Sequence, residues 1–197
     1  MRLPWLADEV AADYGAADAL VNSAGIMQNN IGVDEMNLDE HDLIWDVNYR
    51  GTFLASRAFA RAMRARGKGA IVNIASITAL RPLPLFAYGP GKAAIVSLTA
   101  TLAGHWGPHG VRVNAVAPGY VATEQLMGRV DAGHRRLEDL THPSALGRMV
   151  RPDEIAAAIA FLVDDAASAI TGITLPVDAG WLAGSAWATY GGIAHGK

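Results

Sequence analysis

The sequence predicts a single α/β domain built on a parallel β-sheet, and three observations carry the prediction. Helix-like and strand-like stretches alternate from end to end of the 197 residues, with no repeat of fixed period and no low-complexity linker. The candidate strands are short apolar runs, as expected of strands buried on both faces. Hydrophobic residues make up 51% of the chain and charged residues 18%, a balance that lets one unit bury a core without a domain boundary.

Residues 5 to 14 read as the tail of a helix, followed by a strand at Ala19-Leu20-Val21 that ends in Asn22-Ser23-Ala24-Gly25 and a polar, Gly-containing loop. Asn37 with Glu40 three residues later has the form of a capping box. Leu43, Val47, Leu54, Ala58 and Ala62 then recur at helical spacing, predicting one long helix to about Arg66. Gly69 to Ser76 reads as a buried strand. The Ala-rich run from about Ala87 to His105 reads as a second long helix closed by Gly107 and Pro108, and Val111 to Val116 as a third strand. Residues 123 to 147 are irregular, interrupted by Gly128, Gly133 and Pro143, which is the pattern of a lid over a site. Pro152, Asp153 and Glu154 suit a helix's first turn, and Ile155, Ile159 and Leu162 form its buried stripe. A last strand spans Ile173 to Val177, where Pro176 argues for a sheet edge.

A net charge of -3 without long charge runs gives no footprint for nucleic acid or an anionic membrane. There is no Cys, so disulfides, thiolate zinc sites and a Cys nucleophile are excluded. The start Met1-Arg2-Leu3-Pro4-Trp5 runs straight into Asp8 and Glu9 with no apolar h-region, and no eighteen-residue apolar stretch occurs, so the expected setting is cytoplasmic. His105 and His109 are separated by Gly107 and Pro108, which break the helix that would align them, and no metal is implied. Asp39-Glu40, Asp153-Glu154 and Asp164-Asp165 fall near helix ends, where acidic groups meet the dipole or solvent.

The sharpest chemical feature is Tyr88 followed by Lys92, since residues four apart share a helix face. Charges about 4 Å apart at an effective dielectric of about 20 interact by about 4 kcal/mol, enough to bring a phenol from about 10 into the working range of a general acid/base. Alone such a pair is weak, because it arises often by chance. Ser76 closes a buried strand twelve residues earlier, where strand ends of an open parallel sheet meet the ligand crevice. Asn48 interrupts the apolar face of the first long helix, and its amide must find partners or an ordered water. Singly, Ser76 is an ordinary strand-end residue, Asn48 a satisfied core amide and Pro118-Gly119 a loop.

Together, Asn22-Ser23-Ala24-Gly25, Asn48, Ser76, Tyr88 with Lys92, Pro118-Gly119-Tyr120-Val121-Ala122-Thr123 and the closing Thr171 to Gly180 resemble the classical short-chain dehydrogenase/reductase family in order and spacing. The resemblance covers nearly the whole chain. It implies a Rossmann-like doubly wound parallel sheet in three α/β/α layers, and hydride transfer between NAD or NADP and a small alcohol or ketone, with a sugar or polyol as one candidate. By the resemblance Tyr88 exchanges the proton, Lys92 lowers its pKa and holds the nicotinamide ribose, and Ser76 orients the substrate. Asn48 anchors a water linked to Lys92. Pro118, Gly119, Val121 and Thr123 line the nicotinamide, while Asn22, Ala24 and Gly25 support the strand and touch the adenosine side.

The family begins with a strand and a T-G-x-x-x-G-x-G turn that cradles a pyrophosphate. By the resemblance this chain starts in the helix before the fourth strand. Its single partial domain, 1–197 with a lid at 123–147, therefore lacks the first strands, the Gly-rich turn and the residues that choose between NAD and NADP. The dinucleotide half is expected upstream. Gly89-Pro90-Gly91-Lys92-Ala93-Ala94 matches G-x-G-x-x-A in form but lies too far from the preceding strand to be that turn. The strand Ala19 to Asn22 is then an apolar edge that invites pairing, and a homo-oligomer, dimer or tetramer, is expected. Trp181, Trp187 and Tyr190 in the tail are expected to cover the substrate pocket or a neighbouring subunit. The alternative function is a catalytically silent remnant that serves as an oligomerising module. An epimerase or dehydratase of the extended branch needs a sizeable C-terminal domain, and seventeen residues follow Gly180.

Overall fold

The computed structural model describes residues 3–194, so Met1 and Arg2 of the N-terminal segment read above lie outside it, as do residues 195–197. Four parallel strands run in sequential order: β1 (Ala19–Asn22), β2 (Gly69–Ile74), β3 (Val111–Pro118) and β4 (Thr174–Val177). Around them lie α1 (Leu3–Tyr14), α2 (Leu38–Trp45), α3 (Gly51–Arg66), α4 (Tyr88–Trp106), α5 (Glu124–Asp131), α6 (Leu137–Thr141), α7 (Pro152–Val163) and α8 (Trp181–Gly184). Neighbouring residues of a strand face opposite ways, which builds two cores on one sheet. Ile71 and Val113 pack with Met63 of α3 and Leu98, Leu102 and Trp106 of α4, while Val72 and Val116 pack with Ile155, Ile159 and Leu162 of α7. The result is the doubly wound, Rossmann-like three-layer sheet. Pro176 does lie on an edge strand, since among the described residues β4 pairs with β3 alone.

Two local readings need correction. The long helix predicted from Asn37 to Arg66 is broken by a π turn at Asp46–Arg50, and its buried line is Ile44, Asn48, Thr52, Ser56, Ala60 and Met63. Leu43, expected on that line, is exposed. Polar side chains occupy the true core face, so apolar periodicity picked out the neighbouring row. Asn37 does cap the helix, accepting from the Asp39 and Glu40 backbone N–H groups. The second long helix ends at Trp106 with Gly107 as its C-cap, as read, and a 3-10 turn at Gly107–His109 follows. The chain turns at Gly110, whose φ of +71° and contact with the Gly67 carbonyl leave no room for a Cβ. The segment 123–147 is not irregular throughout, since it carries α5 and α6. Its far end is tied to α7, where Arg148 holds Glu154 through two bonds of 2.7 and 2.9 Å and keeps that carboxyl down at about 2.

Candidate active site

The carboxyl ends of the parallel strands open on one crevice, as an open α/β sheet requires. Behind it lies a cavity of about 350 Å³ whose wall includes Gln28, Ser76, Thr78, Tyr88, Gly119, Tyr120, Val121 and Thr123. Ser76 follows β2 in extended conformation and caps a 3-10 turn, its hydroxyl accepting from the Thr78 N–H at 3.2 Å. Tyr88 is the first residue of α4, and Ser76 is near enough to its hydroxyl to favour the ionised form. Pro90 therefore lies in the first helical turn, where its missing N–H leaves no helical bond unmade. Gly89 and Gly91 belong to this turn of α4 and form no strand-to-helix loop.

Lys92 is buried, donates to the Ile74 carbonyl at 2.7 Å, and places Nζ 5.4 Å from the Tyr88 ring centroid. Burial lowers its pKa to about 8. Tyr88 departs from expectation: burial pushes its pKa above 10.0, with Ser76 pulling the other way. The reason is geometric, because the ammonium sits over the ring face and is bonded to a carbonyl.

The two asparagines have structural partners that sequence alone did not reveal. Asn48 sits in the π turn, fully buried. Its Oδ1 accepts from Ile26 N–H and its Nδ2 donates to Ile26 C=O, both at 2.8 Å, so the side chain pins the loop after β1. These two bonds use one lone pair of Oδ1 and one N–H of Nδ2, so the amide keeps one further acceptor site and one further donor. Asn22 points into the interior, donating to Ser56 Oγ at 2.9 Å and Asn73 Oδ1 at 2.8 Å. Asn73 donates in turn to Thr99 Oγ1 at 3.0 Å. This network ties the edge strand to α3 and to the helix that carries Tyr88 and Lys92. Ala24 and Gly25 are exposed in the loop that follows β1.

Gln28 was missed. Its Oε1 accepts from the Ala87 and Tyr88 N–H groups at 2.7 and 3.1 Å, capping α4 from 60 residues away in sequence. No local pattern encodes so distant a cap.

The residues present fit a nicotinamide ribose. Lys92 spends one N–H on the Ile74 carbonyl, which leaves N–H groups to donate. A Cβ on Gly25 would stand 3.7 Å from Lys92 Nζ and 3.1 Å from Asn48 Oδ1, so glycine keeps that approach open. Gly119 has a different reason, since a Cβ there would meet Asp178 Cα at 2.8 Å. Val121 pairs with Val150, and Thr123 caps α5 by accepting from Leu126 N–H. Trp181 is buried edge-on against Tyr120 of the cavity wall, whereas Trp187 and Tyr190 are exposed. His105 and His109 are exposed at the end of α4. Among the described residues no helix is long and apolar enough to cross a membrane.

A family model described as enoyl-(acyl carrier protein) reductase matches residues 3–182. The chain is 40% identical over 183 residues to galactitol 2-dehydrogenase of Rhizobium johnstonii, covering 91% of itself and 71% of that protein. A solved structure named ribose-5-phosphate isomerase from Brucella melitensis 16M superposes with a TM-score of 0.94 at 47% identity, over 98% of this chain and 75% of that one. ElxO with NADP bound gives 0.88 at 30% identity over 92% and 73% of the two chains. NAD+-bound xylitol dehydrogenase gives 0.83 at 30% over 89% and 73%. Order of motifs, sheet topology and these likenesses agree, and the chain belongs to the classical short-chain dehydrogenase/reductase family of NAD(P)-dependent oxidoreductases.

Proposed function

We propose that this protein interconverts a secondary alcohol of a polyol or sugar with the corresponding ketone, using Ser76, Tyr88, Lys92 and Asn48. The observation that carries the reading is Ser76 and Tyr88 together in one cavity wall, with the buried Lys92 placing Nζ 5.4 Å from the Tyr88 ring centroid. Ser76 holds the substrate oxygen and Tyr88 Oη takes its proton on oxidation or returns it on reduction. Lys92 holds the ribose and stabilises the phenolate as it forms. Asn48 acts as a positioning residue through the Ile26 loop, and Pro118 to Thr123 flank the nicotinamide ring. The bound dinucleotide supplies the hydride acceptor or donor. Residues 123–147 close over the substrate and exclude water. The polyol assignment draws on the likeness to galactitol 2-dehydrogenase and on the hydrogen-bonding side chains of the cavity wall. Self-association is part of the reading.

The test is oxidation of a panel of polyols, sugars and secondary alcohols with NAD and with NADP, read by absorbance of the reduced nicotinamide. Turnover of at least one polyol is expected. A second arm follows ribose 5-phosphate without dinucleotide, because of the likeness to a structure of that name. Isomerisation there, with no oxidation in the first arm, would overturn the reading.

A further inference from the structure

Arg129 and Arg135 stand in the wall of the cavity that contains Ser76 and Tyr88, and with Asn30 they also line an adjoining cavity of about 480 Å³. The fold sets the two arginines side by side. Gly133, at φ +72°, turns the chain back at the end of α5, so the Arg135 N–H donates to the Arg129 carbonyl at 3.2 Å. Arg129 spends one side-chain N–H on Asn29 Oδ1 at 3.2 Å, which leaves the rest of its guanidinium to donate. Burial raises the pKa of the Tyr120 hydroxyl, and the Arg135 charge is near enough to draw it back down, so that charge bears on the wall of the first cavity. Among the described residues neither arginine forms an ion pair, whereas Arg148 and Arg151, just beyond the same segment, are each bonded to carboxylates. The wall of the adjoining cavity holds three arginines and one carboxylate, Asp139, with Arg136 3.8 Å from Glu138. Like charges brought together without a counter-charge repel, and a chain of net charge -3 concentrates positive charge here.

We infer that Arg129 and Arg135 bind an anionic group of the substrate, a carboxylate or a phosphate ester, while Ser76 and Tyr88 act on a carbinol further along the same molecule. The substrate is then the acid or the phosphate of a polyhydroxy chain, and a neutral polyol is its weaker analogue. A guanidinium offers a fork of N–H donors that matches the oxygens of either anion. A cavity of about 350 Å³ falls in the range of small-ligand sites, so one molecule can meet the arginines and the Ser76–Tyr88 wall together. Both arginines lie on the segment proposed to close over the substrate, and an anion held there draws that segment onto the site. The inference rests on the alcohol-oxidising reading above and names the class of its substrate.

The test compares kcat/KM for D-sorbitol, D-gluconate and D-sorbitol 6-phosphate, and for galactitol, D-galactonate and galactitol 1-phosphate, in wild type, Arg129→Gln, Arg135→Gln and Arg64→Gln. The acid and phosphate arms tell which anion is taken. Wild type is expected to favour at least one anion over its neutral parent by about 10²-fold, and that ratio to fall about tenfold in each cavity variant, as for a lost hydrogen bond to a charged group. Arg64 is exposed in the last turn of α3, beside the start of β2 and outside both cavity walls, so its variant controls for loss of charge alone and should keep the wild-type ratio. Near-wild-type Tm checks that the fold is kept, and if Arg129→Gln unfolds through loss of the Asn29 bond, Arg135→Gln alone decides. Oxidation of the neutral polyols with no preference for their anions, a ratio unmoved in the folded cavity variants, or an equal fall in Arg64→Gln overturns the inference and leaves the alcohol reading standing. A wild type inactive on all these compounds and on the alcohol panel overturns both.

Discussion

Val21 and Val72 are register partners on neighbouring strands, yet Val21 is 40% exposed and Val72 is 0% exposed. The same side chain lies at an open edge in β1 and at the centre of the sheet in β2. The centre carries the side chains proposed to move the proton, because Ser76 follows β2 and α4 packs on β2 and β3 with Tyr88 and Lys92 at its start. The edge carries the loop proposed to meet the dinucleotide. The two regions are coupled by polar atoms, Asn22 to Asn73 and Asn48 to Ile26, so the exposed strand is held in place by hydrogen bonds more than by packing.

The largest way to break that contrast is Lys92→Met. Turnover should fall about 10²–10³-fold, as expected when a positioned group of an acid/base site is lost, measured by steady-state rates with saturating dinucleotide. The same variant sharpens the electrostatics. Lys92 titrates at about 8 in the folded chain against an ordinary 10.5, so the unfolded chain binds this proton more tightly between those values. Stability should therefore rise with pH from about 8 to about 10.5, by at most roughly 3 kcal/mol. Below that window the penalty of the buried ammonium is fully present. Tyr88, raised above 10.0, works in the opposite sense beyond pH 10. Denaturant unfolding across this range should show the rise in wild type and a flat profile in Lys92→Met.

Asn73→Leu should cost about 2–3 kcal/mol in denaturant unfolding, since it strands the Asn22 and Thr99 side chains. Val72→Ala, at the sheet centre, should cost about 2 kcal/mol, whereas Val21→Ala should stay within about 0.5 kcal/mol by the same measurement. Equal losses at the two valines would remove the distinction between centre and edge.

The four strands, the helix carrying Tyr88 and Lys92, and the Asn37 cap were legible because each rests on local pattern. Apolar runs mark strands, i,i+4 spacing marks a helix face, and a capping side chain bonds within three residues. What escaped depends on distant partners. The buried line through Asn48, Thr52 and Ser56 is polar, so hydrophobic periodicity selected Leu43 and its row instead. The π turn at Asp46–Arg50 has no breaker residue to announce it. Gln28 caps a helix 60 residues away, a contact that exists only once the β1 loop has been folded across α4. Tyr88 and Lys92 share a helix face as their spacing predicts, but burial decides their titration, with Ser76 pulling Tyr88 the other way.

Tyr88→Phe tests the central claim most directly, with kcat/KM for an oxidised polyol and dinucleotide affinity measured on the same sample. Loss of about 10²–10⁴-fold in rate with affinity kept near wild type is the predicted result. A variant that binds dinucleotide and retains its rate to within about tenfold would contradict the assignment of Tyr88 as the group that moves the proton.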